Sequence, residues 1–294
     1  MVVPHGKLVK VKGKNMHVRQ MGSGAITIVL LPGLGTPLPS VEFAPLIRDL
    51  SKKHTVCVVE IFGYGHSGGT DSPRTNENHV EEIREGLKMA GLQPPYVLMP
   101  FSCTGIYSEY YATKYPSEVA GLILLDTTAT VEGYAQLFAE MENKSDEDFD
   151  TEDTIEEVEQ SYDEDELIAE YVGHGYTIEE IHEIMEMTAN LTHIDTQTAQ
   201  EKALLQNIFE VASMPIPNEI PILVFHSDWA EIFDEEELNE YEHEKHYNDH
   251  LHRLGERAKL VTIKGSTHDD IYYHSDFRKI ICDEVDVFIK CLNP

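Results

Sequence analysis

The sequence predicts an α/β protein whose mostly parallel central sheet is flanked by helices. Three observations carry this. Six short runs rich in Val, Ile and Leu recur between turn residues. Segments with helical spacing of apolar residues separate several of them. The runs are nearly continuous rather than alternating, as expected of strands buried on both faces.

In chain order, "KLVKVKG" (7–13) and "MHVRQMG" (16–22) read as an exposed hairpin. "ITIVLLPG" (26–33) is the first core strand. "SVEFAPLIRDLSKK" follows as a helix, with Ser40 as N-cap and Phe43, Leu46, Ile47 and Leu50 on its apolar face. "TVCVVEIFG" (55–63) is a strand, and "VEEIREGLKMAG" (80–91) is a helix stopped by Gly91. "YVLMP" (96–100) and "GLILLD" (121–126) are strands. After Asp126 the alternation breaks, and it resumes at "PILVFHSD" (221–228) and "KLVTIKG" (259–265). "DFRKIICDEVDVFIKCL" closes the chain as a helix with Phe277, Ile280, Ile281 and Phe288 on one face.

The gap defines the organisation. Residues 1–127 and 217–294 form the core, and 128–216 form an inserted helical cap. Between Glu140 and Glu186 there are 20 acidic residues and one basic residue, Lys144. Such a stretch reads as solvated and partly mobile, a composition compatible with a lid over a site. "SMPIPNEIP" (213–221) marks the return to the core.

Charge excludes several roles. Lys plus Arg is 22 and Asp plus Glu is 53, for a formal net charge of −31. That surface repels phosphate backbones and anionic lipid, so neither nucleic acid nor membrane is an expected partner. No apolar run reaches the ~20 residues of a membrane span. The first residues lack the apolar centre of a signal peptide, so the expected location is cytoplasmic. Cys57, Cys103, Cys282 and Cys291 show no C-x-x-C spacing and read as buried reduced thiols. The sequence assigns no oligomeric state.

Four segments carry chemistry. In "LLPGLGTP", Gly33 and Gly35 allow a sharp turn, and the amide of Leu34 is a candidate oxyanion donor. In "MPFSCTG", Ser102 stands where a strand ends and a helix begins, the place of a nucleophile elbow. The Cys103 amide would then lie at a helix N-terminus and favour an anion. Asp228 ends the strand "PILVFHSD", and Asp126 ends "GLILLD" as the alternative acid. Asp126 also suits a simple turn onto the amides of Thr127 and Thr128; Asp234 is a further possibility. In "TIKGSTHDD", His268 follows the last strand, after Ser and Asp in the chain order of such a triad.

Together these segments resemble the α/β-hydrolase-fold serine hydrolases over most of the chain outside the acidic insertion. "LPGLGT" resembles the oxyanion loop. "VVEIFGYGHS" resembles the following Asp-x-x-Gly-x-Gly-x-Ser turn, with Glu60 for the aspartate. "MPFSCTGIYSEYYATKYPSEVAGLILLD" resembles the elbow, its helix and the next strand, and "GSTHDD" the catalytic-histidine loop. The familiar elbow reads Gly-His-Ser-x-Gly-Gly, from which Pro100, Phe101 and Thr104 depart. The resemblance implies a Ser102–His268–Asp228 triad, because the usual acid follows the strand between cap and histidine. It implies an oxyanion hole of the Leu34 and Cys103 amides, and excludes the aspartate-nucleophile branches, such as haloalkane dehalogenases and the usual epoxide hydrolases. The expected activity is hydrolysis of a small neutral acyl substrate, an ester, thioester or lactone, with no cofactor and no metal. A prolyl-aminopeptidase-like peptidase and a catalytically weak binding protein are the alternatives.

Two other motifs compete. "GYGHSG" (63–68) fits G-x-G-x-x-G, but a polar loop with Pro73 follows where a dinucleotide site needs a helix. In "EYEHEKHYNDHLH" (240–252), His243, His246 and His250 have helical spacing, and His246 and His250 are a possible metal pair. A charged, solvated helix is the simpler reading. Trp229, beside Asp228, is a candidate pocket residue.

Overall fold

The apolar runs become eight strands of one sheet. They are β1 (Lys7–Val11), β2 (Lys14–Met21), β3 (Thr27–Leu31), β4 (Thr55–Glu60), β5 (Tyr96–Pro100), β6 (Val119–Leu125), β7 (Ile222–Ser227) and β8 (Ala258–Ile263). The computed structural model describes residues 6–136, 164–228 and 243–292. The strand order is β1-β2-β4-β3-β5-β6-β7-β8. From β4 through β3 to β8 every pairing is parallel. Only the β1–β2 hairpin and its pairing with β4 are antiparallel.

Period-two alternation splits the core into two layers. Leu98, Leu122, Leu124 and Val224 face one side of the sheet. There they meet α3 (Asn76–Met89), α4 (Thr104–Lys114) and α8 (His243–Leu254) through Val80, Ile106 and Tyr247. Val97, Met99, Ile123, Leu125 and Phe225 face the other side. There they meet α2 (Ala44–Leu50) and α9 (Ser275–Leu292) through Leu46, Ile281 and Val285. Both faces are therefore dry, which is why the strand sequences are apolar without interruption.

Several local expectations are corrected. The hairpin is not exposed: Val9, Val11, Met16 and Val18 are buried against the core, and β2 is paired on both edges. Ser40 caps nothing. It lies inside a short helix, α1 (Pro39–Glu42), which Phe43 separates from α2 because Pro45 cannot continue the amide ladder. The helix ending at Gly91 starts earlier, at Asn76, where the Thr75 hydroxyl accepts from the Asn78 amide. On α9, Ile280 is turned to solvent and the buried face runs through Arg278, Ile281, Val285 and Ile289.

Between β6 and β7 the described residues form α5 (Glu164–Gly173), α6 (Ile178–Ala189) and α7 (Ile194–Ala212). The acidic stretch within 137–163 lies outside the described residues. Its described remainder is tied to the core. Arg48 bonds Glu180 and the Gly175 carbonyl, and the Tyr176 hydroxyl donates to the Glu42 carbonyl. α7 is fastened by polar pegs: Gln197 Nε2 to the Gly63 carbonyl at 2.7 Å, and Asn76 Nδ2 to the Asn207 carbonyl at 2.9 Å.

His246 and His250 do not line a solvated face; both are buried. His250 Nε2 lies 2.7 Å from Glu109 Oε1, and His246 stands edge-on to Tyr134. Arg253 completes the site by bonding Glu109 and the carbonyls of Val211 and Met214 at the end of α7. Burial alone would push the Glu109 carboxyl up, but Arg253 and His250 outweigh it and hold it at about 2. The folded value lies below the unfolded one, so this carboxylate stabilises the fold above its unfolded pKa and loses that effect toward pH 2. A drop of that size corresponds to about 3 kcal/mol. Urea unfolding should therefore show Glu109→Gln less stable than wild type at pH 7, with the gap narrowing between about pH 4.5 and the lowest accessible pH. An equal gap at pH 3 and pH 7 would contradict the ion-pair account.

Candidate active site

The elbow is built by strand ends. Pro100 pairs with Leu31, and the next residue, Phe101, bridges Leu125 in the parallel direction. Ser102 then takes φ +56°, a left-handed conformation that costs a non-glycine residue energy and stands its side chain off the turn. Two glycines make room. A methyl group on Gly33 would lie 2.9 Å from the Ser102 Cβ, so the loop after β3 packs directly on the serine. One on Gly105 would lie 2.5 Å from the Thr127 Cβ, the close approach of α4 to β6. Thr104 is tolerated between them because its hydroxyl bonds the Phe101 carbonyl at 2.9 Å and reaches the Leu31 carbonyl at 3.2 Å.

Asp126 stands beside Ser102 on the neighbouring strand, one residue past the same bridge. It too has a left-handed backbone, φ +45°. Its carboxylate is buried and receives four hydrogen bonds. Oδ1 accepts from the Ser227 amide at 2.9 Å and lies 3.1 Å from His226 Nδ1. Oδ2 accepts from the Ser227 hydroxyl at 2.7 Å and lies 2.6 Å from His268 Nδ1. An ionised carboxylate only accepts, so both imidazoles carry their proton on Nδ1 in these bonds. Burial pushes the Asp126 carboxyl up, but His226 and His268 outweigh it and hold it well below the usual carboxylate range.

The structure thus places Asp126, and not Asp228, on the histidine. The reason is register. Leu125 pairs with Phe225, which sets His226 and Ser227 beside Asp126 and carries Asp228 beyond it, toward β8. There Asp228 Oδ1 accepts from the Gly265 amide at 2.9 Å and closes the turn that leaves β8. Trp229 and Asp234 lie outside the described residues.

The His268 loop is braced on both sides. Thr267 N donates to Asp270 Oδ1 at 2.7 Å, and the Ser266 hydroxyl to the Ile263 carbonyl at 2.7 Å. The imidazole stacks on Phe101, with centroids 4.6 Å apart, and Phe101 meets Tyr272 at 5.0 Å. The aromatic residue in place of the familiar elbow histidine therefore forms the surface on which His268 rests. Phe101 and His226 are the two contributors that sequence reasoning did not assign. The signal for both was adjacency alone: one precedes the serine and the other precedes the Ser–Asp pair ending β7.

Gln200 Nε2 approaches the sulfur of the Cys103 thiol at 3.6 Å. Burial pushes that thiol up to about 12, so it stays protonated and is not a second nucleophile. The Gln200 side chain also accepts from the Tyr64 hydroxyl at 3.0 Å, which joins α7 to the loop after β4. Among the described residues no group of three or more side chains is arranged to hold a metal ion. "GYGHSG" forms a loop that leads to α3 only at Asn76.

Residues 26–274 match the family described as the alpha/beta hydrolase fold. This chain belongs to that family. The protein YbdG of Bacillus subtilis (strain 168) is 40% identical over 121 residues, 41% of this chain and 37% of its own. The serine hydrolase BPHL of Mus musculus is 32% identical over 127 residues, 42% and 43% of the two chains. A pimeloyl-[acyl-carrier protein] methyl ester esterase of Xylella fastidiosa (strain M12) is 29% identical over 113 residues, 38% and 40%. The chain thus spans less than half the length of these curated relatives. Among solved structures, the epoxide hydrolase VrEH1 of Vigna radiata superposes with a TM-score of 0.66 at 15% identity, covering 97% of each chain. Cfl2 of Burkholderia cenocepacia gives 0.67 at 16% identity, covering 96% of this chain and 94% of its own. These likenesses establish the fold. No helix among the described residues is long and apolar enough to cross a membrane.

Not all thiols share the environment of Cys103. Cys57 and Cys103 are buried, as expected, but Cys291 is exposed and Cys282 only partly covered. Titration of the native protein with a thiol-specific chromogenic disulfide should give one fast equivalent, from Cys291, and all four after unfolding. Fast labelling of Cys103 in the native state would contradict its burial.

Proposed function

We propose that this protein is a serine hydrolase that cleaves an ester-type bond, in an ester, thioester or lactone, through Ser102, His268 and Asp126. One observation carries the reading: a serine on a left-handed strand-to-helix turn stands beside a buried aspartate whose carboxylate bonds the histidine after the last strand at 2.6 Å. With its proton on Nδ1, neutral His268 presents the lone pair of Nε2 as base. It takes the Ser102 proton as Oγ attacks the substrate carbonyl, and Asp126 stabilises the imidazolium that forms. The amides of Leu34 and Cys103 receive the developing oxyanion, the second from the N-terminus of α4. His268 then protonates the leaving group, and water activated by the same imidazole releases the acid.

The named relatives include a serine hydrolase and a methyl ester esterase, which supports the ester class over the peptidase alternative. The serine at the nucleophile position supports acyl transfer, although epoxide hydrolases share the fold. The net charge of −31 favours a neutral acyl group over an anionic one. In this reading the segment from 128 to 216 is a cap over the site, and α7 is its inner wall.

The test is kinetics on short-chain nitrophenyl esters together with labelling by a fluorophosphonate probe. Ser102→Ala should abolish both and keep the fold. Asp126→Asn should lower kcat by roughly four orders of magnitude, because the imidazole loses its oriented tautomer. Asp228→Asn should cost far less, since the Asn side-chain oxygen can still accept from the Gly265 amide. Collapse of Asp228→Asn with Asp126→Asn nearly intact would restore the other assignment. A wild-type protein that takes no label would sink the reading.

A further inference from the structure

Asp126 carries two imidazoles, and the reaction proposed above uses only one. His226 Nδ1 faces Oδ1 at 3.1 Å, while His268 Nδ1 faces Oδ2 at 2.6 Å. The second histidine, His226, has a further support. Its ring lies flat on Tyr247 of α8, with centroids 3.6 Å apart and planes 12° apart. Tyr247 is itself buried. The β6–β7 register puts residue 226 level with residue 126, so the donation follows from strand geometry and not from a flexible loop.

We propose that His226 is a positioning residue: its Nδ1–H anchors Oδ1 of Asp126, so that Oδ2 stays aimed at His268 and carries less charge than a carboxylate bonded to His268 and Ser227 alone. The inference rests on the serine-hydrolase reading. It goes beyond that reading by adding a fourth residue that never touches substrate and acts through the carboxylate.

The physical consequence has a sign. Hydrogen bonds to a carboxylate withdraw its charge, and the imidazolium of His268 is stabilised by that charge. Removing the His226 donor concentrates charge toward His268 and favours its protonated form. The acid limb of the pH–rate profile should then move to higher pH. The groups facing Asp126 and His226 among the described residues are Ser227, His268, Tyr247 and Tyr134, with His246 against Tyr134. Burial pushes Tyr134 up to about 12 and Tyr247 higher still, so neither tyrosine titrates where an esterase is assayed.

Two substitutions separate donation from stacking. His226→Phe keeps a ring on Tyr247 and removes the donor. His226→Asn removes the ring but places an amide N–H near the former Nδ1. For His226→Phe we expect kcat about tenfold lower, as for other loss of a supporting bond to a reacting group, KM nearly unchanged, and an acid limb displaced upward. His226→Asn should recover most of kcat and return the limb toward wild type. His226→Leu replaces the Phe variant if that one does not fold. A donor-free variant with wild-type kcat and profile overturns the proposal. So does an Asn variant as impaired as the Phe variant, which would mean that stacking, not donation, matters. A proton NMR readout separates this from failure of the underlying reading. If the wild type neither labels nor turns over, the serine-hydrolase reading fails, yet the downfield Nδ1 proton of His268 should still move in His226→Phe and return in His226→Asn. An unmoved resonance overturns the positioning role whatever the activity.

Discussion

The parallel bridge between Phe101 and Leu125 is the constraint on which the geometry of the candidate site depends. It makes two adjacent strands end at one level. The next residue on each, Ser102 and Asp126, turns into left-handed backbone. Such a conformation is unfavourable for side chains other than glycine, and two in register need strong support. The Ser102 amide bonds the Leu125 carbonyl, the Thr128 amide bonds the Ser102 carbonyl, and the Asp126 amide bonds the Phe225 carbonyl. Each turn thus uses the neighbouring strand as its scaffold. A serine and a carboxylate far apart in sequence become neighbours without any flexible segment between them.

Burying carboxylates is costly unless every lone pair is met, and this protein meets them repeatedly. Asp126 has its four donors. Glu109, directly behind the elbow in α4, has His250, Arg253 and Thr130. Glu60, where the related turn has aspartate, accepts from the Ser40 and His66 amides and pairs with His17. Its extra methylene is absorbed because Gly65, at φ +52°, leaves the space that a side chain would occupy. Removing one partner from such a centre strands a charge, so each is an all-or-none unit.

The helices between β6 and β7 are joined to the core by a different chemistry. α7 meets the loops after β4 and the start of α3 through Gln197, Gln200 and Asn207, whose bonds need specific geometry. Arg253 reaches across to the carbonyls at its C-terminal end, where the helix dipole favours a cation. Gln200 touches both Tyr64 and the Cys103 sulfur, so α7 is in contact with the turn that carries Ser102.

The sequence by itself determined the fold class, the order of strands and helices, and the placing of Ser102 and His268 at strand ends. Those properties are local, because burial on both faces writes itself as continuous apolar runs and a strand-to-helix turn as a break in them. Gly33 was legible too, as a residue that allows a sharp turn after a strand. Tertiary structure alone decided which carboxylate holds the imidazole. Asp126 and Asp228 look alike in sequence, each the last residue of an apolar run. The choice depends on how far β7 overshoots β6, which is a matter of register between strands separated by the inserted segment. The same register brings His226 to Asp126. The burial of His250 was hidden likewise, because Glu109, its buried partner, lies on a helix more than a hundred residues earlier in the chain. Pairing across such distances leaves no periodicity for a sequence to show.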